Sequence, residues 1–176
     1  MNAQQYLWCV SILRQAYQSK KMTKLPATAV AAQAVLECGH LGKGEPYDHK
    51  TGKRSYNLFG VKAIVKNGVL IAGGNNGYVQ CYTHEEINGK KELKLAYFRA
   101  YLSYKDSFDD HARVLAITKD DNGEQRYRKA FEYLDDSERF IAEVWKAGYA
   151  SDSEYLESII PIIRTLNKIP IWVLKL

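Results

Sequence analysis

Apolar residues return every three or four positions along the first stretch of the chain, where Tyr6, Leu7, Val10, Leu13 and Tyr17 fall on one stripe. That period predicts an amphipathic helix over about 3–19, closed by Lys20, Lys21 and Lys24 at its negative end. Leu25-Pro26 then opens an Ala- and Leu-rich run over 27–37 that stops at Gly39, the pattern of a short second helix. Residues 40–56 are polar, carry Gly42, Gly44, Pro46 and Gly52, and read as a long loop. From 56 to 101 the period shortens: segments such as GVLIA, YVQCYT and LAYFRAY alternate with the turn signals Gly60, Asn67-Gly68, the Gly/Asn run at 73–77 and Asn88-Gly89. A small antiparallel sheet built from hairpins is expected there.

Helical spacing resumes after Ser103, which forms a capping-box pattern with Asp106 ahead of Phe108, Ala112 and Leu115. Tyr127, Ala130, Phe131 and Leu134 mark a further helix, and Phe140, Ile141, Val144 and Trp145 another, stopped by Gly148. A last helix over about 153–167 contains Pro161, which is expected to kink it, and the apolar tail IPIWVLKL is expected to pack back on the body or form a strand. No repeat or linker divides the chain. The reading is therefore one domain over 1–176, of class α+β, with a larger helical lobe, a small antiparallel β lobe at about 60–101, and a cleft between them that would take a ligand.

Charge sharpens this picture. The 176 residues carry a net charge of +5, but residues 1–104 hold 14 Lys and Arg against 6 Asp and Glu, whereas residues 105–176 hold 11 against 14. A basic front half points to a polyanionic partner: nucleic acid, an anionic membrane surface or a wall polymer. Cys9, Cys38 and Cys81 have no metal-type spacing and do not suggest a disulfide framework, and His40, His49, His84 and His111 form no ligand motif. No metal or organic cofactor is expected.

With only six acidic residues in the front half, each carboxylate there is informative. Glu37 lies at the last turn of the second helix beside Val30, Gln33 and Ala34, where burial and the helix dipole would both raise its pKa and favour a general acid. Position alone also suits an ordinary surface Glu at a helix end. Glu85 and Glu86 precede the Asn88-Gly89 turn, and strand alternation lets one of them at most face a cleft. Taken alone they suit a solvated pair, although two carboxylates across a cleft are the equipment of glycoside hydrolysis.

Five strings in order, LPATAVAAQAVLECG (25–39), YNLFGVKA (56–63), YTHEEINGK (82–90), FRAYLSYKDSFDDHARVL (98–115) and AGYASDSEY (147–155), resemble the bacterial glucosaminidases of glycoside hydrolase family 73. These are flagellar-rod and autolysin-type peptidoglycan hydrolases. The resemblance implies a lysozyme-like fold, with Glu37 as the catalytic acid, Glu85 as the second acidic residue of the β lobe, and Tyr149 near the reacting sugar. It lays Asn57, Phe59, Gly60 and Lys62 along the cleft, and aromatic content adds Tyr82 and Tyr101 as sugar contacts within a group that also includes Tyr47, Tyr56 and Tyr78. Asp110 and His111 are read as a hydrogen-bonding pair near the lobe junction. The chain departs from the family at Cys38-Gly39-His40-Leu41-Gly42, where an aromatic is missing, and its segment 64–80 looks longer than usual.

The expected reaction is cleavage of the β-1,4 bond between N-acetylglucosamine and N-acetylmuramic acid by an endo-acting glycoside hydrolase. Glu85 as base, Glu85 as nucleophile and the substrate's own N-acetyl group all remain open for the second half of the reaction. A muramidase or lytic transglycosylase is the nearest alternative, disfavoured by the NLFG segment; a non-catalytic wall-binding module is the alternative of another class. Peptidoglycan glycan strands are the expected partner, with no nucleic acid, no stable membrane association and a monomeric state. The first residues lack a basic leader. A bacteriolytic phage endolysin released by a separate route, or the catalytic unit of an exported autolysin, is therefore expected to act on the cell wall.

Overall fold

A computed structural model describes residues 1–39, 44–87 and 90–174, with the side chains of 85–87, 90 and 91 outside the described set. Helix α1 (Ala3–Thr23) starts in a reciprocal capping box between Asn2 and Gln5 and ends at Lys24 in the left-handed region. Its buried face is Cys9, Val10, Ile12, Leu13, Ala16 and Ser19, while Leu7 is 66% exposed. The apolar stripe expected through Tyr6 and Leu7 is thus rotated.

Helix α2 (Ala27–Cys38) is the centre of the molecule: residues 27–35 are all buried, and its C-cap is Gly39. A helix apolar on every side needs neighbours on every side. It has them in α1, α4 (Ser137–Lys146) and α5 (Tyr155–Asn167). Helix α3 (Tyr104–Ile117) is capped by the Ser103 side chain accepting from the Asp106 N–H, and it turns Ser107, Phe108, His111, Ala112 and Leu115 inward. The helix expected around Tyr127–Leu134 is only a 3-10 turn, Ala130–Tyr133, preceded by turn residues 126–129 and the Lys119–Gln125 bridge. Helix α5 runs through Pro161, and the tail folds back as a 3-10 turn, Ile171–Leu174, that buries Leu174.

The β lobe consists of two separate antiparallel hairpins rather than one sheet. β1 (Ile64–Lys66) pairs with β2 (Val69–Ala72), and β3 (Tyr78–Ile87) pairs with β4 (Lys90–Arg99). The Asn67-Gly68 turn has positive φ at both residues, as the twist of a two-residue hairpin requires. The hairpins touch through the Lys62–Phe98 bridge and the Ala63 N–H donating to the Tyr97 carbonyl. Val79, Ala96, Phe98 and Ala100 form the lobe's own small core.

The lobes are joined by ion pairs and hydrogen bonds. Arg99 at the end of β4 and the Tyr101 hydroxyl both bond Asp110 Oδ2 of α3 at 2.7 Å, and Arg113 bonds its Oδ1. Asp110 and His111 therefore do not pair with each other. Consecutive on a helix, they face different ways, His111 into the core and Asp110 to the junction.

Candidate active site

Where α2 ends, the polypeptide opens a cavity of about 380 Å³ between the helical body and the β lobe. Its walls are the end of α2 (Glu37, Cys38), the loop at 44–49, Leu58 and Gly60, and the hairpin residues Cys81, Tyr82, Thr83 and Phe98. Glu37 is exposed to this space, yet the protein around it removes enough water to raise its carboxyl pKa above the usual value. Tyr149 and Tyr155 feel the charge of Glu37, and burial, above all, pushes both phenols up. Tyr149 is placed by the turn after α4, where the Gly148 and Tyr149 N–H groups bond back to Trp145 and Val144, and the Trp145 indole donates to the Asp152 carbonyl.

The loop before Asn57 is built around two carboxylates. Glu45 is buried, and it accepts from the Tyr56 N–H (2.7 Å), the Arg54 guanidinium (2.8 Å) and the Tyr104 hydroxyl (2.8 Å). Asp48 accepts from the Lys50 and Thr51 N–H groups and the Thr51 hydroxyl with Oδ1, and from the Gln80 N–H of β3 with Oδ2. These bonds, led by that to Gln80, hold its pKa down at about 2. The His49 N–H also donates to the Gln80 carbonyl, so the loop is stitched to β3. His49 meets the Tyr82 ring edge-on at 5.1 Å, and Tyr47 and Tyr82 stay exposed on the cavity wall.

Glu37, Gly60 and Tyr82 line the same cavity, and Tyr149 lies within reach of the Glu37 charge. Phe59 is buried and stacked flat on His111 with ring centroids 3.8 Å apart. Lys62 lies over the Phe98 ring at 4.2 Å, beside the cavity. Two expected sugar contacts are instead scaffold. Asn57 is fully buried, its amide donating to the Val61 and Arg99 carbonyls and accepting from the Phe59 and Val61 N–H groups, so it folds the 57–61 turn. Tyr101 is 1% exposed, with its hydroxyl committed to Asp110. The Glu85 side chain lies outside the described residues; its backbone is in β3, opposite Glu92. Sequence reasoning missed Glu45, His49, Cys81, Thr83 and Phe98 on the wall. Alternation from Val79 pointed to Cys81 and Thr83, but no local pattern marks Glu45. Among the described residues, no three or more His, Cys, Asp or Glu cluster as a metal site, and no helix is long and apolar enough to cross a membrane.

Comparison with known proteins agrees with this geometry. The chain is 31% identical over 157 residues to the peptidoglycan hydrolase FlgJ of Pseudomonas aeruginosa, covering 89% of this chain but 36% of that protein. It is 34% identical over 147 residues to an Enterococcus faecalis autolysin, covering 81% and 18% respectively. The chain thus spans well under half the length of these relatives. Among solved structures, a C-terminally truncated glycoside hydrolase domain of Salmonella typhimurium FlgJ superposes with a TM-score of 0.69 at 27% identity, covering 92% of this chain and 97% of that one. The catalytic domain of the Listeria monocytogenes autolysin Auto does so with 0.70 at 26%, covering 95% and 86%. The fold is lysozyme-like α+β. The family model described as mannosyl-glycoprotein endo-beta-N-acetylglucosaminidase matches residues 13–168, and the chain belongs to this glucosaminidase family.

Proposed function

We propose that the chain is a peptidoglycan hydrolase that cleaves the β-1,4 bond between N-acetylglucosamine and N-acetylmuramic acid, with Glu37 as general acid. The observation that carries this is the Glu37 carboxyl, set in the wall of the cavity between the lobes and biased by its surroundings toward the protonated form. A protonated carboxyl at that place donates its proton to the glycosidic oxygen as the bond to the anomeric carbon breaks, so the leaving sugar departs as a neutral alcohol. The charge that develops on the ring is oxocarbenium-like. Tyr47 and Tyr82 offer the faces and hydroxyls that sugar rings use, and the basic front half favours approach of anionic wall polymers.

Glu37→Gln tests the assignment, since an amide has the carboxyl's shape and no acidic proton. The variant is expected to lose lysis of purified sacculi while still sedimenting with them. Lysis at the wild-type rate by Glu37→Gln sinks the acid assignment. Mass spectrometry of the products decides the bond: reducing-end N-acetylglucosamine supports the proposal, and an anhydromuramic end identifies a lytic transglycosylase. Glu85 is proposed as the second acidic residue. Glu85→Gln should lower turnover and leave binding of sacculi intact, and the anomeric configuration of fresh product separates inversion from retention.

A further inference from the structure

Gln33 and Glu37 stand four residues apart on α2, one turn along the same face. Gln33 is fully buried, and both ends of its amide are used: Nε2 donates to the Tyr155 hydroxyl at 3.3 Å, and Oε1 meets His111 Nε2 at 3.2 Å. His111 is 1% exposed, and burial lowers its pKa to about 3, with Asp110 opposing, so near neutral pH it is an uncharged imidazole. With Gln33 Oε1 as the acceptor, this contact is a hydrogen bond in the tautomer that carries the ring proton on Nε2. In that tautomer the hydrogen bonds run from His111 N–H to Gln33 oxygen and from Gln33 N–H to the Tyr155 hydroxyl.

The ring contacts extend this line to Tyr149. His111 is stacked on Phe59 with planes 4° apart and meets Tyr149 edge-on at 5.8 Å, and Tyr149 in turn leans on Tyr155 at 6.2 Å. Both tyrosines lie close enough to Glu37 to feel its charge. An apolar pair would fill the space of Gln33 and His111 and leave only the Tyr155 hydroxyl without its Gln33 donor. What the polar pair adds is orientation.

We propose that Gln33 and His111 are positioning residues for Glu37, holding the wall formed by Tyr149 and Tyr155 against the acid's end of α2. The idea rests on Glu37 being the acid, and its test is chosen to fail separately from that reading. Carboxyl-carbon NMR of protein labelled in its Glu side chains, with the Glu37 signal identified by its absence in Glu37→Gln, follows the Glu37 titration without any need for activity. Gln33→Met breaks the chain, and Gln33→Met with His111→Phe breaks it without leaving the His111 imidazole unpaired.

In both variants the Glu37 midpoint should fall toward that of an open carboxylate, because water reaches the acid once the tyrosines loosen. The alkaline limb of the lysis profile should move to lower pH with it, and each unit of movement removes about tenfold of the protonated acid on the alkaline side. A loss of packing alone would scale the whole profile and leave the midpoint in place. A folded variant with the wild-type midpoint overturns the proposal. So does failure of both variants to fold, which would make the chain a structural requirement only. If Glu37→Gln still lyses walls, the acid assignment falls while the titration still reports on the positioning.

Discussion

Glu37 gives up its proton late because protein stands where water would solvate the carboxylate. A general acid works in its protonated form, so lysis should decline as pH rises through the raised value. The same shift acts on stability with a definite sign. Above the ordinary value of 4.5 the unfolded chain ionises while the folded one resists, so the native state loses stability as pH rises. Glu37→Gln should therefore melt at a higher temperature than wild type at neutral pH, with the gap closing below pH 4.5. Melting curves across pH check this, and a gap independent of pH would contradict it. His111 acts in the opposite window. Its folded pKa lies below its unfolded value, so the stability it contributes is present above pH 6.5 and is lost as pH falls toward 3. His111→Phe should remove that acid-side slope from the melting temperature. The upward direction at Glu37 was legible from its helix-end position among apolar neighbours, but His111 needed the pairing with Gln33, 78 residues away, to show what it does.

Among the elements, the loop and hairpin that border the cavity owe their shape to a few tight contacts. At Gly74 an added Cβ would stand 2.0 Å from the Ala100 carbonyl oxygen, a backbone atom that cannot swing aside. The turn is fixed there by the Asn76 N–H donating to the same carbonyl and the Ala100 N–H donating to that of Gly77. Gly74→Ala should destabilise the protein by about 2 kcal/mol, measured by chemical denaturation, by forcing the turn off β4. Asp48 ties the loop to β3, and its depressed pKa means that this support is present above about pH 4 and is lost as pH falls toward 2. The helices around it were largely readable from apolar spacing. α1 came out rotated, with Ile12 and Ala16 buried and Leu7 exposed, because which face is covered is set by the neighbouring helices and not by the strip alone. The expected helix near Tyr127 is one 3-10 turn that still packs Ala130 and Phe131 on the core.

Across the whole molecule, the two lobes are held by the cluster of Arg99, Tyr101, Asp110 and Arg113. The Arg99 and Asp110 side chains are only 13% and 14% exposed, so this pair is partly shielded from solvent screening. Asp110→Ala would leave Arg99 and the Tyr101 hydroxyl without their partner and should cost about 3 kcal/mol in stability by denaturant titration. An unchanged stability would show that the junction relies on other contacts. The net charge of +5 acts at this scale as well, and binding to sacculi is expected to weaken as salt rises. By itself the sequence determined the class of fold, the order of the main elements and the placing of Glu37, the proposed acid, at the end of α2, because these depend on local periodicity, turn chemistry and motifs read in order. Only the tertiary structure decided which polar residues serve the site and which serve the scaffold. Asn57 and Tyr101 became scaffold, Glu45 and His49 joined the wall, and Gln33 met His111, because burial and hydrogen-bond partners are set by residues far apart in the chain, which no local pattern records.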